Sequence, residues 1–124
     1  MGNNRDGSLE KFVVTIQEGM EKITDAGVFR KRLLVPENVG IKSFEMGVLM
    51  LHPGQSWGYP DHRHEDEEAY FILDGTGVQI IDEREFNIEK NMAIYLPPNS
   101  LHITKNTGNE TLRVLYIRKP EKYR

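Results

Sequence analysis

Cysteine is missing altogether from this 124-residue chain, which excludes disulfides and thiolate metal sites and leaves any metal to histidine and carboxylate. Long apolar runs are missing too. The opening "MGNNRDGSLEKF" has no hydrophobic core of signal-peptide length, and nothing later approaches a membrane span. Met1-Gly2 begins as a myristoylation site would, but Asp6 stands where that motif needs serine or threonine. Nor is positive charge in excess. Sixteen Lys and Arg against nineteen Asp and Glu give a net charge of −3 and a pI of 5.8, so no cationic field gathers nucleic acid or anionic lipid. The basic residues Arg113, Arg118, Lys119, Lys122 and Arg124 read as a solvated tail. These absences predict a soluble cytoplasmic protein with no nucleic-acid or membrane partner.

What is present is a β pattern. Short apolar-rich runs at 12–16, 28–35, 44–51, 68–73, 77–82, 84–88, 92–96, 101–106 and 111–119 are separated by Pro, Gly, Asn and Asp clusters. The only helix the spacing suggests is a short one over "EGMEKIT", 18–24. No linker or repeat divides the chain, and a chain of this length buries roughly two-thirds of its unfolded surface, enough for one core. We therefore expect one all-β domain over 1–124, with a polar N-terminal segment at 1–11.

Alternation assigns faces, because residues two apart in a strand point the same way. In 44–51, Phe44, Met46, Val48 and Met50 form the set expected to point inward, opposite Ser43, Glu45 and Gly47. In 68–73 both sets are apolar, Tyr70 and Ile72 against Ala69, Phe71 and Leu73, which predicts a strand covered on both faces or lying under a subunit interface. Arg30 and Arg32 alternate with apolar residues and are expected to face solvent; with the opposite register they could hold an anionic substrate.

The chemistry-bearing residues cluster in "HRHEDEEAYFILDG", 62–75. His62 and His64 are two apart, so in extended backbone both imidazoles reach one side. Glu68 opens the next strand on the face of Tyr70 and Ile72. His102 follows the turn "LPPNS", and in an all-β fold its strand can return beside the first. Glu65, Asp66 and Glu67 read as a solvated loop, and His52, at a strand end before Pro-Gly, as structural.

Two spaced motifs give these residues a family. His62, His64, Glu68 and Gly75 match the second half of G-x5-H-x-H-x3,4-E-x6-G, while Pro97, His102 and Asn106 match G-x5-P-x-G-x2-H-x3-N. The chain thus resembles the cupin superfamily, over a motif core of about 54–106. Two features depart from the pattern. The leading glycine of the first motif falls on Ser56, with Gly54 and Gly58 nearby. Asn91 and Asn99 replace glycines of the second, and asparagine is the residue next most tolerant of positive φ.

The resemblance implies a double-stranded β-helix, or jelly-roll, barrel, commonly a homodimer. It also implies one divalent transition metal, Fe, Mn, Ni, Co or Zn, held by His62, His64, Glu68 and His102. Thr104 and Asn106 are candidates to orient the imidazoles. Tyr70, Phe44, Met46 and Met50 are candidate walls of a pocket for a small-molecule substrate or ligand, with Trp57 and Tyr59 near its mouth. Cupins include dioxygenases, decarboxylases, isomerases, lyases and non-catalytic binding modules, and the fold alone does not choose among them. The motifs contain no proton-shuttling group beyond the ligands, which favours a metal-dependent enzyme of dioxygenase type over an isomerase or decarboxylase. Its substrate is expected to be small and anionic or oxygen-rich; the alternative is a sensor or binding module.

Overall fold

The computed structural model describes residues 11–24, 26–58 and 64–123. Ten strands account for most of it: β1 (Met20–Ile23), β2 (Phe29–Leu34), β3 (Glu45–Leu51), β4 (Ser56–Gly58), β5 (Glu68–Asp74), β6 (Thr76–Ile81), β7 (Arg84–Glu89), β8 (Ala93–Leu96), β9 (His102–Lys105) and β10 (Leu112–Arg118). They form two antiparallel sheets, a larger one ordered β1-β2-β3-β10-β5-β8 and a smaller one ordered β4-β9-β6-β7. Ile72, Leu49 and Val114 of the larger sheet share one buried core with Ile88 of the smaller, so the two sheets face each other as the jelly-roll barrel expected from the motifs.

Eight of the nine expected runs contain strands. The exception is 12–16, where the segment "TIQE" ends in a one-turn 3-10 helix, Ile16–Glu18. A reciprocal cap fixes it: the Glu18 N–H donates to Thr15 Oγ1 (3.3 Å) and the Thr15 N–H to Glu18 Oε1 (2.8 Å). The helix expected over 18–24 is instead β1, because the edge of β2 supplies backbone partners from Arg32 to Phe29 that a single isolated turn lacks. β4 lies outside the expected runs; its three residues pair with β9.

Cross-strand pairing identifies the inward face. Arg32, Gly47, Tyr116, Tyr70 and Ile94 stand opposite one another in turn, and Glu45, Arg118, Glu68 and Leu96 form the adjacent row. This corrects the expected face of β3. Its inward set is Glu45, Gly47, Leu49 and Leu51, all buried, whereas Met46, Val48 and Met50 lie on the outer face and Phe44 precedes the strand, 40% exposed. The alternation misled because the outer face is apolar as well: Met46 meets Ile117, and Val48 meets Leu115. A second correction concerns β5. Glu68, Tyr70 and Ile72 are buried, but Ala69 and Phe71 on the other face are exposed, so a single chain covers one face only.

Glu45 can face inward because it is paired. Its carboxylate accepts hydrogen bonds from the Glu121 N–H (2.8 Å) and the Tyr116 hydroxyl (3.3 Å), and Arg32 and Arg118 approach to 3.5 and 3.7 Å. Gly47 provides the space: a Cβ there would lie 2.6 Å from the Tyr116 ring. Arg30 and Arg32, expected in solvent, are 2% and 8% exposed, and Arg118 of the expected solvated tail is also largely buried. Burial pushes the Tyr116 hydroxyl up to about 12, against the opposing pull of Arg30 and Arg118. For Glu121, partial burial acts upward, but the hydrogen bond and charge of Arg30, joined by Lys22, outweigh it and hold the carboxyl at about 2.

Removing the Glu45 carboxylate leaves buried guanidiniums uncompensated. Glu45→Ala should therefore cost roughly 3–5 kcal/mol of stability in urea denaturation, and a near-neutral result would contradict the pairing. Because the Glu121 carboxyl is lower when folded, its contribution is full above pH 4.5 and is lost as pH falls toward about 2. The stability difference between wild type and Glu121→Gln should shrink across that window; a gap independent of pH would argue against the ion pair.

Candidate functional site

Glu68 enters the interior as the first residue of β5, where the inward parity that buries Tyr70 and Ile72 also applies to it. His102 enters from the opposite sheet as the first residue of β9. The two meet: His102 Nε2 lies 3.3 Å from Glu68 Oε2, both side chains largely buried. The His102 and Tyr70 rings are near perpendicular, their centroids 6.4 Å apart at 88°.

Local contacts set the position of His102. The Asp82 N–H donates to the Leu101 carbonyl (2.7 Å) and Asp82 Oδ1 accepts from the Leu101 N–H (3.0 Å), clamping the residue just before it. On the other side, Gly58 at φ +122° passes so close that a Cβ would lie 2.3 Å from the His102 carbonyl oxygen. Asn91 and Asn99 adopt φ of 74° and 61°, the conformation for which the motif has glycine. The Asn99 N–H donates to the His64 carbonyl (2.6 Å), tying the segment before β5 to the turn that leads into His102.

Of the four expected ligands, Glu68 and His102 are therefore brought together, and His64 is half-buried on a backbone fastened to the same turn. His62 and Tyr59 lie outside the described residues. Among the described residues, no three histidine or acidic side chains form a cluster able to hold a metal ion. The pair Glu68 and His102 nevertheless fits one as part of a larger donor set. It combines a carboxylate with an imidazole, and the buried His102 Nδ1 has no hydrogen-bond partner among the described residues, so no hydrogen bond to it defines which ring nitrogen carries the proton. The neighbouring acids behave as expected of a loop: Glu65 and Glu67 are exposed, and Glu67 accepts the Tyr95 hydroxyl, which raises the pKa of that phenol.

The other candidates divide. Tyr70 lines the interior beside His102, and Trp57 packs half-buried against the core on the strand next to β9, with the Arg30 guanidinium 5.9 Å from its ring centroid. Met46 and Met50 leave the site because their face points outward, whereas Phe44, exposed just before β3, lines a cleft together with Glu68 and Arg118. Thr104 and Asn106 do not orient His102 in the described contacts: Thr104 donates to Gln79 (2.6 Å), and Asn106 donates to the Leu51 and Glu110 carbonyls (both 2.8 Å), stapling the loop between β9 and β10.

Sequence reasoning missed the cavity walls. A cavity of about 410 Å³ opens between the edges β7 and β8, lined by Gln79, Ile81, Phe86, Ile88, Met92 and Ile94 among others. It adjoins the site on two sides, since Ile81 pairs with His102 and Ile94 with Tyr70. The signal that could have found it is the odd-numbered set of "GVQII", in which Gly77, Gln79 and Ile81 share one face.

Comparison with known proteins agrees with this geometry. The family model described as "Cupin domain" matches residues 47–118. Auxin-binding protein 1 of Arabidopsis thaliana is 37% identical over 87 residues, 63% of this chain and 43% of that protein. Tetracenomycin polyketide synthase protein TcmJ of Streptomyces glaucescens is 29% identical over 87 residues, 69% of this chain and 57% of that one. The chain thus spans about half the length of these curated relatives. Among solved structures, a predicted oxalate decarboxylase from Thermotoga maritima superposes with a TM-score of 0.77 at 26% identity, covering 88% of this chain and 99% of that one. The names attached to these proteins differ in activity while the architecture is shared. With both motifs in register, the matched domain and two facing sheets, the chain belongs to the cupin family.

Proposed function

We propose that this chain is a metal-dependent cupin enzyme, in which His62, His64, Glu68 and His102 hold one divalent transition metal, Fe, Mn, Ni, Co or Zn. The observation that carries the reading is the buried contact between Glu68 Oε2 and His102 Nε2, 3.3 Å apart and supplied by opposite sheets. A carboxylate and an imidazole without thiolate suit a hard or borderline ion, which when bound supplies Lewis-acid or redox chemistry and coordination positions for a small oxygen-rich or anionic substrate.

The chain's own residues supply the surroundings. Ile81, Ile88 and Ile94 exclude water from the cavity side and give the substrate an apolar bed. Gln79, fully buried and fixed by Thr104, is a polar point in that bed. Tyr70 packs perpendicular to the His102 ring and limits its rotation. Dioxygenase-type chemistry is the preferred reaction, ahead of isomerisation or decarboxylation, because the two motifs contain no proton-shuttling group beyond the ligands.

A second reading is a non-catalytic binding module, favoured by the 37% identity to a protein named for auxin binding. Two measurements separate the readings. Protein prepared without oxygen and loaded with each metal should bind about one ion per chain and gain thermal stability with the logarithm of metal excess, and His102→Ala should lower metal content at least tenfold. Unchanged content in that variant would remove His102 from the ligand set. Oxygen uptake or substrate turnover should then appear with a panel of small acids and catechols; none with any metal would move the assignment to the binding module.

A further inference from the structure

The inner wall beside Glu68 holds more guanidinium donors than acceptors within hydrogen-bond reach. Its buried arginines Arg30, Arg32 and Arg118 approach three carboxylates, Glu37, Glu45 and Glu121, and Glu68 stands opposite Arg118, so positive charge is not in excess. The hydrogen bonds leave donors over. Glu45 already accepts from the Glu121 N–H and the Tyr116 hydroxyl, so Arg32 and Arg118, at 3.5 and 3.7 Å, are within ion-pair range but too far for good hydrogen bonds. Arg30 Nε, Arg32 Nε and Nη2, and Arg118 Nε are all buried without an acceptor among the described residues.

These donors form one group. Arg30 and Arg118 lie 6.0 and 5.3 Å from the centroid of the Tyr116 ring, and Arg32 stands two strands from Tyr116 in the same row, beyond Gly47. Arg118 is directly opposite Glu68 across β10 and β5, and both line a cleft of about 650 Å³ whose mouth carries Lys42 and Lys119 as well as the acids Glu65, Asp66 and Glu67. The cluster therefore adjoins the candidate metal ligands and opens to the cleft at its Arg118 end.

We propose that Arg118, Arg30 and Arg32 bind the oxyanion, carboxylate or phosphate, of the small molecule this site takes. The inference deepens the enzyme reading by naming the ligand's charge and its receptor. A guanidinium presents Nε and one Nη as a planar pair that matches two oxygens, and the unsatisfied atoms are of that kind. Burial strengthens such a bond and makes the unpaired donors costly, so an arriving anion relieves the hydrogen-bond deficit. Glu121 already shows the chemistry: its carboxylate takes Arg30 Nη2 at 3.0 Å and Arg118 Nη2 at 3.4 Å.

The test is a titration of metal-free, 15N-labelled protein followed at the arginine Nε–Hε resonances, with sodium acetate, inorganic phosphate and neutral acetamide at constant ionic strength. Acetate or phosphate should shift the Arg30, Arg32 and Arg118 resonances saturably, leaving that of Arg113, which is paired with Asp74 at the surface, in place. Saturation by acetate alone identifies a carboxylate ligand, and by phosphate alone a phosphate ester. Arg32→Gln should weaken the saturation of the other two at least tenfold, while Arg113→Gln leaves it unchanged. Absence of saturation with either anion, an equal response to acetamide, or a parallel drift of every arginine would overturn the proposal; the wild-type titration decides this even if the variant does not fold. Because no metal is present, failure here leaves the metal reading intact, and loss of metal in His102→Ala leaves this one intact.

Discussion

A carboxylate and an imidazole meeting across the gap between two sheets is the contact on which the functional architecture depends. Glu68 and His102 are thirty-four positions apart and belong to different sheets, and they meet only if both sheets hold their register. A slip of one residue in β5 would exchange Glu68, Tyr70 and Ile72 for Ala69, Phe71 and Leu73, emptying the site and exposing the core in a single step. The flanking β10 and β8 prevent that slip from both sides, while Asp82 and Gly58 fix the approach of His102.

The second constraint is electrostatic. The interior of the larger sheet is not uniformly apolar: a band of arginines, tyrosines and glutamates runs across its inward face next to Glu68. Each buried donor left without a partner costs about 1–3 kcal/mol, which a structure selected for stability alone would have removed by replacing arginine with an apolar residue. Keeping the charges inside, with arginine donors left over beyond those that Glu45 and Glu121 accept, is what the proposed anionic ligand requires. The apolar cavity on the other side of Tyr70 would take that molecule's body. On the proposed reading, ion and ligand would occupy adjoining parts of one interior.

Much of this was legible in the sequence. Alternation located β2, β3 and β5 to β10, and the spacing of His62, His64, Glu68, Gly75, Pro97, His102 and Asn106 gave the family before any coordinates. Asn91 and Asn99 were readable as left-handed turns because few other residues tolerate that conformation. The failures have a common origin. Face assignment assumed that charged residues point outward, so Glu45, Arg30 and Arg32 were placed in solvent, and Met46 and Met50 in the interior. Where charges neutralise one another inside and the outer sheet face is apolar, period-two patterning has no sign, and only the partner strands supply it. β1 and β4 were missed for a related reason: strands of four and three residues exist because an edge is available to them, not because their own sequence demands it.

In the proposed site Glu68 and His102 are ligands of one buried ion. Anomalous diffraction from crystals of the zinc- or manganese-loaded protein, recorded at the metal edge, locates that ion. A single interior peak about 2.0–2.3 Å from His102 Nε2 and a Glu68 carboxylate oxygen is the expected result. A peak on the outer surface, or an interior peak that leaves either side chain beyond bonding distance, would contradict it.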